Sequence, residues 1–265
     1  MIERQTQILE YATGRERVHV PELSERFEVS QVTIRKDLDE LERLGLVERQ
    51  HGFARVNTTD DLRGRLAVQY ELKRRIAARA LALVADDETV MIESGSCCAL
   101  LAAAIATTRQ GCTIITNSVF IADYVRAERS VSVILLGGDY QPASQTTVGP
   151  LAEQAVAGLF VHRLFIGIDG YAPQSGFTGK DVQRARIVQT MAHQADEVVV
   201  LTESRKFAAR GSVRLLPDAG VRRVITDDGL DPAMRGRLGK AGIDVALVTA
   251  NQTTTESSAK ESKLP

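Results

Sequence analysis

Tryptophan is absent and aromatic residues make up 5% of the chain, which argues against a mechanism that stacks bases on an aromatic platform. Charge of one sign is missing too. The 33 Lys and Arg nearly cancel the 34 Asp and Glu, leaving a net charge of −1. Bulk attraction therefore does not hold a polyanion, although a local contact surface still can. Cysteine is scarce. Cys97, Cys98 and Cys112 form no evenly paired framework, two of them being sequence neighbours, and a reducing compartment is expected. No run approaches the ~18 apolar residues of a membrane span. The N-terminal Met-Ile-Glu-Arg-Gln starts polar and lacks the apolar centre of a secretion signal. The expectation is a cytoplasmic protein with no membrane partner.

Cofactor signatures are also missing. Neither G-x-G-x-x-G nor the phosphate loop G-x-x-x-x-G-K-[ST] occurs, which argues against a dinucleotide or nucleoside triphosphate cofactor. The histidines His19, His51, His162 and His193 are scattered and suggest neither a metal cluster nor a triad. Cys97 and Cys98 lack the spaced Cys or His partners of a zinc site. No cofactor, no metal and no catalytic residue is expected.

What is present is 44% hydrophobic residues in a chain of 265, enough for a core in one or two domains. Residues 1–56 are charge-dense and helical in pattern. Residues 57–70 are polar without a clear period, as in a linker. From 71 to 250, short β-branched runs alternate with alanine-rich helical runs. The polar, low-complexity tail 251–265 offers too little apolar surface to offset its ordering entropy, and disorder is expected there.

Within 1–56, residues 4–12 suit a first helix, and Pro21 suits the first turn of a second, where its missing N–H costs nothing. Ser30 is a good N-cap for a third helix. Ile34, Leu38, Leu41 and Leu44 point that helix into the core, Gln31, Thr33, Arg35 and Lys36 lie opposite, and Gly45 ends it. Residues 46–56 then read as a hairpin turning near His51-Gly52. This is the layout of a winged helix-turn-helix, whose third helix enters the major groove of double-stranded DNA. Arg35 suits guanine or a phosphate and Gln31 suits adenine. Ser30, Thr33 and Lys36 belong to the same face, while Arg49, His51 and Arg55 on the wing suit backbone contacts. The nine Lys and Arg of residues 1–56 face eleven Asp and Glu, so any DNA contact depends on how the charges are arranged.

In 71–250, Leu72, Ile76, Ala80 and Leu83 form one helical stripe. Strands are predicted at Thr89–Ile92, Thr113–Thr116, Val131–Leu136, Arg163–Ile168, Glu197–Leu201, Val221–Ile225 and Asp244–Val248. Helices are predicted at Ala99–Ala106, Val119–Ala127, Leu151–Ala157, Asp181–Gln194 and Pro232–Ala241. The alternation implies a mainly parallel, Rossmann-like α/β sheet covered on both faces. Ligands of such sheets bind beyond the carboxyl ends of the strands. Those ends carry Glu93-Ser94-Gly95-Ser96-Cys97, Asn117, Gly138, Asp169 and Lys206. Together they suggest one crevice for a phosphorylated sugar or polyol. The phosphate would sit at Ser94–Cys97 on a helix N-terminus, with Lys206 as countercharge and Asp169 and Asn117 on hydroxyls.

Two sets of motifs point to a known family. Val29-Ser30-Gln31-Val32-Thr33-Ile34-Arg35-Lys36-Asp37-Leu38, followed by Arg49-Gln50-His51-Gly52, resembles the V-S-x-x-T-I-R-R-D-L and R-x-H-G-G-A patterns of DeoR-type bacterial regulators. Lys36 stands where the pattern has arginine and Phe53 where it has a second glycine. Further on, Glu93-Ser94-Gly95-Ser96-Cys97 resembles D-S-G-T-T, and Glu203-Ser204-Arg205-Lys206-Phe207 resembles D-S-S-K-F. The resemblance implies a C-terminal sensor domain similar in fold to ribose-5-phosphate isomerase. It also implies a repressor of a carbohydrate-utilisation operon, controlled by a phosphorylated metabolite and working as a homodimer or homotetramer. A phosphosugar isomerase with an accessory DNA-binding domain, using Asp169 and Lys206 as an acid–base pair, is the alternative.

Overall fold

The computed structural model describes residues 3–50, 52–56 and 62–250. The chain opens with α1 (Glu3–Ala12), β1 (Val18–His19), α2 (Val20–Arg26), α3 (Gln31–Arg43), β2 (Val47–Gln50) and β3 (Phe53–Val56). Ile8, Leu9, Leu23, Ile34, Leu38 and Leu41 are buried between the helices. Ser30 caps α3, its Oγ accepting the Thr33 N–H at 3.1 Å. The other end closes as a Schellman turn: Leu46 N–H donates to the Leu41 carbonyl and Gly45 N–H to that of Glu42, with Gly45 at φ 71°. Arg4 of α1 donates to the buried carboxylate of Asp37 at 2.6 Å and fixes α3 against α1. The wing is a three-stranded antiparallel sheet in the order β1-β3-β2, and Gln50 pairs with Phe53 across the predicted turn. Phe53 is accommodated because its ring packs against His19 and lies under the Arg17 guanidinium.

The stretch 57–70, expected to be a linker, carries α4 (Leu62–Ala67), and α5 (Tyr70–Leu81) begins at its end. Leu62, Leu66 and Ala67 are buried. One and a half turns are too short to show a helical period among polar neighbours, which is why composition suggests a linker here. Residues 57–61 and the tail 251–265 lie outside the described residues.

There follow β4 (Thr89–Ile92), α6 (Ser96–Thr108), β5 (Thr113–Thr116), α7 (Val119–Tyr124) and β6 (Ser132–Leu135). Next come β7 (Asp139–Gln141), β8 (Thr146–Val148), α8 (Pro150–Val156), β9 (Val161–Ile166), β10 (Gly170–Ala172) and β11 (Gly176–Gly179). The last elements are α9 (Val182–Ala192), β12 (Ala195–Leu201), β13 (Val213–Leu216), β14 (Arg223–Asp227), α10 (Pro232–Lys240) and β15 (Asp244–Val248). A 3-10 segment, Ser204–Ala208, follows β12, and a second, Asp218–Gly220, follows β13.

Seven strands form one parallel sheet in the order β15-β14-β12-β9-β4-β5-β6. One face is covered by α5, α6 and α7, whose apolar cluster continues through Leu62 and Leu66 into Ile8 and Leu38 of the N-terminal helices. The other face is covered by α8, α9 and α10. The strand predicted at Arg163–Ile168 is shifted to Val161–Ile166. The pairs β7-β8 and β10-β11, with β13 beside β11, are three- and four-residue strands absent from the sequence reading, too short to show alternation. No described helix is long and apolar enough to cross a membrane.

Chain order fixes where a ligand meets this sheet. From β4 the strands run outward to β5 and β6 on one side, and β9, β12, β14 and β15 fill the other. The order reverses between β4 and β9, and a crevice opens at such a switch point.

Candidate functional site

The first surface is the exposed start of α3. Gln31, Arg35 and Lys36 are exposed, and Arg35 Nη2 donates to Gln31 Oε1 at 3.3 Å. Val32 is 59% exposed although apolar. It lies off the Ile34–Leu38–Leu41 stripe, on the face that carries the polar groups. An exposed aliphatic group there suits a thymine methyl in the major groove. Ser30 and Thr33 share a hydroxyl hydrogen bond of 2.9 Å, so both serve the cap as well as the surface.

The wing differs from expectation. Arg49 pairs with Asp39 of α3, and its backbone N–H donates to Glu42 at 3.0 Å. Arg55 pairs with Glu48, its cross-strand neighbour, at 2.7 Å. The wing cations are thus matched by acids brought beside them when the hairpin packs on α3. His51 lies outside the described residues.

The second site is a cavity of about 50 Å³ beyond the carboxyl ends of β4, β9 and β12. It shares Arg65, Asp169, Lys180, Asp181 and Arg184 with a broader cleft of about 780 Å³, whose outer wall includes residues 140–144 of the β7–β8 hairpin. Six cationic side chains line the cavity (Arg65, Lys73, Lys180, Arg184, Arg205 and Lys206), against four carboxylates (Glu93, Asp169, Asp181 and Glu203). Gly95, Ser96 and Cys97 bring the first turn of α6 to it, and the N–H groups of a first helical turn have no intrahelical acceptor. Gly95 and Gly167 meet where β4 and β9 part. A Cβ on Gly95 would lie 3.1 Å from the Gly167 Cα, so a larger residue would push the two strand ends apart by a few tenths of an ångström.

Comparison with known proteins bears on both sites. Residues 4–60 match the DeoR-like helix-turn-helix domain, and residues 68–228 match the DeoR C terminal sensor domain. The chain belongs to the DeoR family. It is 31% identical over 248 residues to the HTH-type transcriptional regulator GlpR of Haloferax volcanii, covering 92% of this chain and 96% of that protein. It is 28% identical over 254 residues to a protein of Escherichia coli O157:H7 named for transcriptional repression of the aga operon, covering 93% of each. Among solved structures, ribose 5 phosphate isomerase A from Neisseria gonorrhoeae covers 54% of this chain and 56% of its own, with 16% identity and a TM-score of 0.40. DeoR-family proteins are transcriptional regulators with a DNA-binding and a sensor domain, and this chain has both.

Within this DeoR sensor domain, the structure brings Gly95, Ser96, Cys97, Asp169 and Lys206 to one cavity. It does not bring Ser94, Asn117 or Gly138 there. Ser94 is buried and donates to Glu93 Oε1 at 2.7 Å. Asn117 ends β5, one strand beyond β4, where the β7–β8 hairpin covers it and its Nδ2 donates to the Thr147 carbonyl. Gly138 packs under Val148 and Ala152. For Asn117 and Gly138 the reason is distance from the switch point, since β5 and β6 lie on the far side of β4 from β9; Ser94 is at the switch point but its hydroxyl is buried against Glu93 and Arg184.

Four further residues emerge only from the fold: Val32, Arg65, Lys73 and Arg184. Lys73 is 1% exposed. Its Nζ donates to the carbonyls of Arg65 and Val68 and lies 3.3 Å from Glu203. Lys73 follows Leu72 directly and stands three residues before Ile76, at the edge of the apolar stripe, but its charge reads as solvent-facing in the sequence. Arg184 donates to Glu93 at 3.2 Å, and Glu93 in turn accepts the Gly167 N–H at 3.2 Å. The longer Glu93, standing where the family motif has aspartate, thus bridges β4, β9 and α9. The Nε groups of Arg65 and Arg184 are buried with no hydrogen-bond partner. Both arginines line the cavity, and each carries one unpaired guanidinium N–H.

Burial dominates the titrations here. It pushes the Cys97 and Cys98 thiols far up, so both stay protonated and unreactive at neutral pH. Burial also pulls the Lys73 amine down, against the opposing pull of Glu203. For Glu203, burial raises the pKa, but Lys73 and Arg205 outweigh it and hold the carboxyl below its ordinary value. A carboxyl depressed in the folded state stabilises the fold above its unfolded pKa of about 4.3, and that stability is lost as pH falls through the folded value. Melting temperature is therefore expected to drop as pH is lowered from 6 to 3. Glu203→Gln should flatten that part of the profile. An unchanged acid limb in the variant would show that Glu203 does not control it.

Proposed function

We propose that the protein is a repressor of a carbohydrate-utilisation operon, binding operator DNA through α3 under the control of a phosphorylated sugar or polyol in the β4–β9 cavity. The observation that carries this reading is the cavity's surplus of two positive charges at a helix N-terminus. A phosphate monoester brings about −1.5 to −2 at neutral pH and three strong acceptors. The first turn of α6 and Arg184 suit the phosphate, and Lys206 supplies countercharge. Asp169, 4.0 Å from Lys206, suits a sugar hydroxyl. The broad cleft leaves room for the remaining carbons. The name of the aga-operon relative supports repression of sugar-use genes. In this reading residues 1–56 bind DNA, 71–250 sense the effector and 57–70 join them. The protein works in the cytoplasm as a homodimer or homotetramer, since two-fold operators need paired recognition helices.

A thermal-shift panel tests the pocket. Its probes are glucose 6-phosphate, fructose 1-phosphate, sorbitol 6-phosphate and galactosamine 6-phosphate, with inorganic phosphate and the free sugars as controls. A ligand at a hundred times its Kd stabilises the folded state by about 2.7 kcal/mol. At least one phosphate ester is expected to raise the melting temperature by several degrees where its free sugar does not. In Lys206→Ala the shift should shrink. Equal shifts in both proteins would remove Lys206 from the site.

The isomerase alternative assigns acid–base chemistry to Asp169 and Lys206. Asp169 Oδ2 already accepts the Lys180 backbone N–H at 3.1 Å, which suits a positioning role. Aldose–ketose interconversion lost in Asp169→Asn would revive the alternative.

A further inference from the structure

We propose that Arg65, on the short helix between the two domains, binds the anionic group of the effector, and that through this contact α4 carries occupancy of the cavity to the DNA-binding domain. The inference rests on the reading of the cavity as an anion site.

Helix α4 lies between the two regions that match the family, which end at residue 60 and resume at 68. Its apolar side is sealed: Leu62 and Leu66 are fully buried, and α4 packs on α6, whose first turn lines the cavity. Its carboxyl end is clasped by the buried Lys73, which takes the carbonyls of Arg65 and Val68. The helix therefore presents the Arg65 side chain to both the inner cavity and the outer cleft. The Nε of this side chain is buried with no hydrogen-bond partner. Leaving a charged donor unpaired in a buried place is costly, and an incoming oxyanion removes that cost. The planar guanidinium fork matches a phosphate in two bonds at once.

Coupling follows from where α4 stands. An effector shifts a conformational equilibrium only by contacts that differ between the two states. Contacts to strand ends of a packed parallel sheet differ little. Helix α4 begins six residues after Val56, the end of the wing strand β3, and leads into α5, which packs on α1. Between the helices the backbone turns at Gln69, which adopts the left-handed conformation at φ 52°. A bond that pulls Arg65 inward acts on a segment that follows the wing in the chain and leads into the helix packed on α1.

The test uses the full chain with Arg65→Ala and Arg65→Lys, the phosphate ester from the panel that stabilises wild type most, and inorganic phosphate. Both variants keep the backbone carbonyl that Lys73 holds, so each should fold, and operator affinity is read in every protein with and without ester. Arg65→Ala is expected to weaken binding of the ester by about tenfold to hundredfold, the range for a hydrogen bond to a charged group. At saturating ester it should also lose most of the ester's effect on operator affinity in a gel shift. Arg65→Lys should recover part of the binding, which a purely structural role would not predict. In wild type, the ester should slow amide exchange across 62–70. Equal binding and equal operator response in wild type and Arg65→Ala would overturn the inference while leaving the effector site standing. Weakened binding with an intact operator response would overturn the coupling. If no phosphate stabilises wild type at all, the anion-site reading fails and this inference fails with it.

Discussion

Arg35→Ala is expected to weaken operator binding by about 5- to 150-fold per recognition helix, the value of one bidentate base contact. The side chain is exposed at the start of α3, one turn after Gln31 and on the same face. Nothing in the core depends on it, so the melting temperature and the response to phosphate esters should not change. The measurement is a gel shift on duplexes that the wild-type protein selects from a random pool. The neighbouring side chains sharpen the test. Lys36→Ala should weaken binding evenly across sequences and reduce the salt slope by about 0.9, as for one lost phosphate contact. Val32→Ala should relax discrimination at a thymine and leave the salt slope alone. Wild-type affinity in Arg35→Ala, with the fold intact, would remove the start of α3 from the groove.

Lys73→Ala is expected to destabilise the protein by about 3–5 kcal/mol, the cost of breaking a buried ion pair from one side. Lys73 and Glu203 are almost fully buried, with side chains 1% and 5% exposed. Solvent therefore screens neither charge. Truncating the lysine leaves the buried Glu203 with Arg205 as its remaining partner and orphans two carbonyls at the end of α4. At roughly 2–4 °C per kcal/mol for a chain of this size, the melting temperature should fall by about 6–20 °C. The double variant Lys73→Met with Glu203→Gln should regain much of the loss, because it removes both charges and keeps the volume. A fall of less than about 2 °C in Lys73→Ala would show that the pair contributes little. Calorimetry on the full chain decides between these outcomes. The single variant should also bind phosphate esters less well, since Lys73 holds the segment that carries Arg65.

Much of the fold was legible because its signals are local. Ser30, the Ile34–Leu38–Leu41 stripe and Gly45 mark the start, the buried face and the end of α3 within sixteen consecutive residues. Thr89–Ile92 and Thr113–Thr116 are apolar runs of strand length, and the structure has strands at those residues. Less local features escaped. The hairpin β7–β8 is built of three-residue strands, too short for alternation to register. Helix α4 hides two buried leucines in a polar stretch.

The candidate site divides along the same line. Gly95, Ser96 and Cys97 were visible because a strand end followed by a helix start is a local pattern. Asn117 and Gly138 end strands in the same way, yet they lie apart from the cavity, because sheet order and not chain order decides which strand ends are neighbours. Lys73 and Arg65 are charged side chains that a local reading assigns to solvent. Their roles arise when α4 and α5 close over the ends of β4 and β12 and take water away from a charge that would otherwise be solvated.

The amino-acid sequence by itself determined the helix-turn-helix, the alternation of strands and helices, and the family motifs, since each depends on residues within a turn or two of one another. Only the tertiary structure decided which charges are buried, which are neutralised by a neighbour and which remain directed into a cavity. Desolvation and Coulomb attraction act through space, and the distances that set them exist only once the sheet has its order.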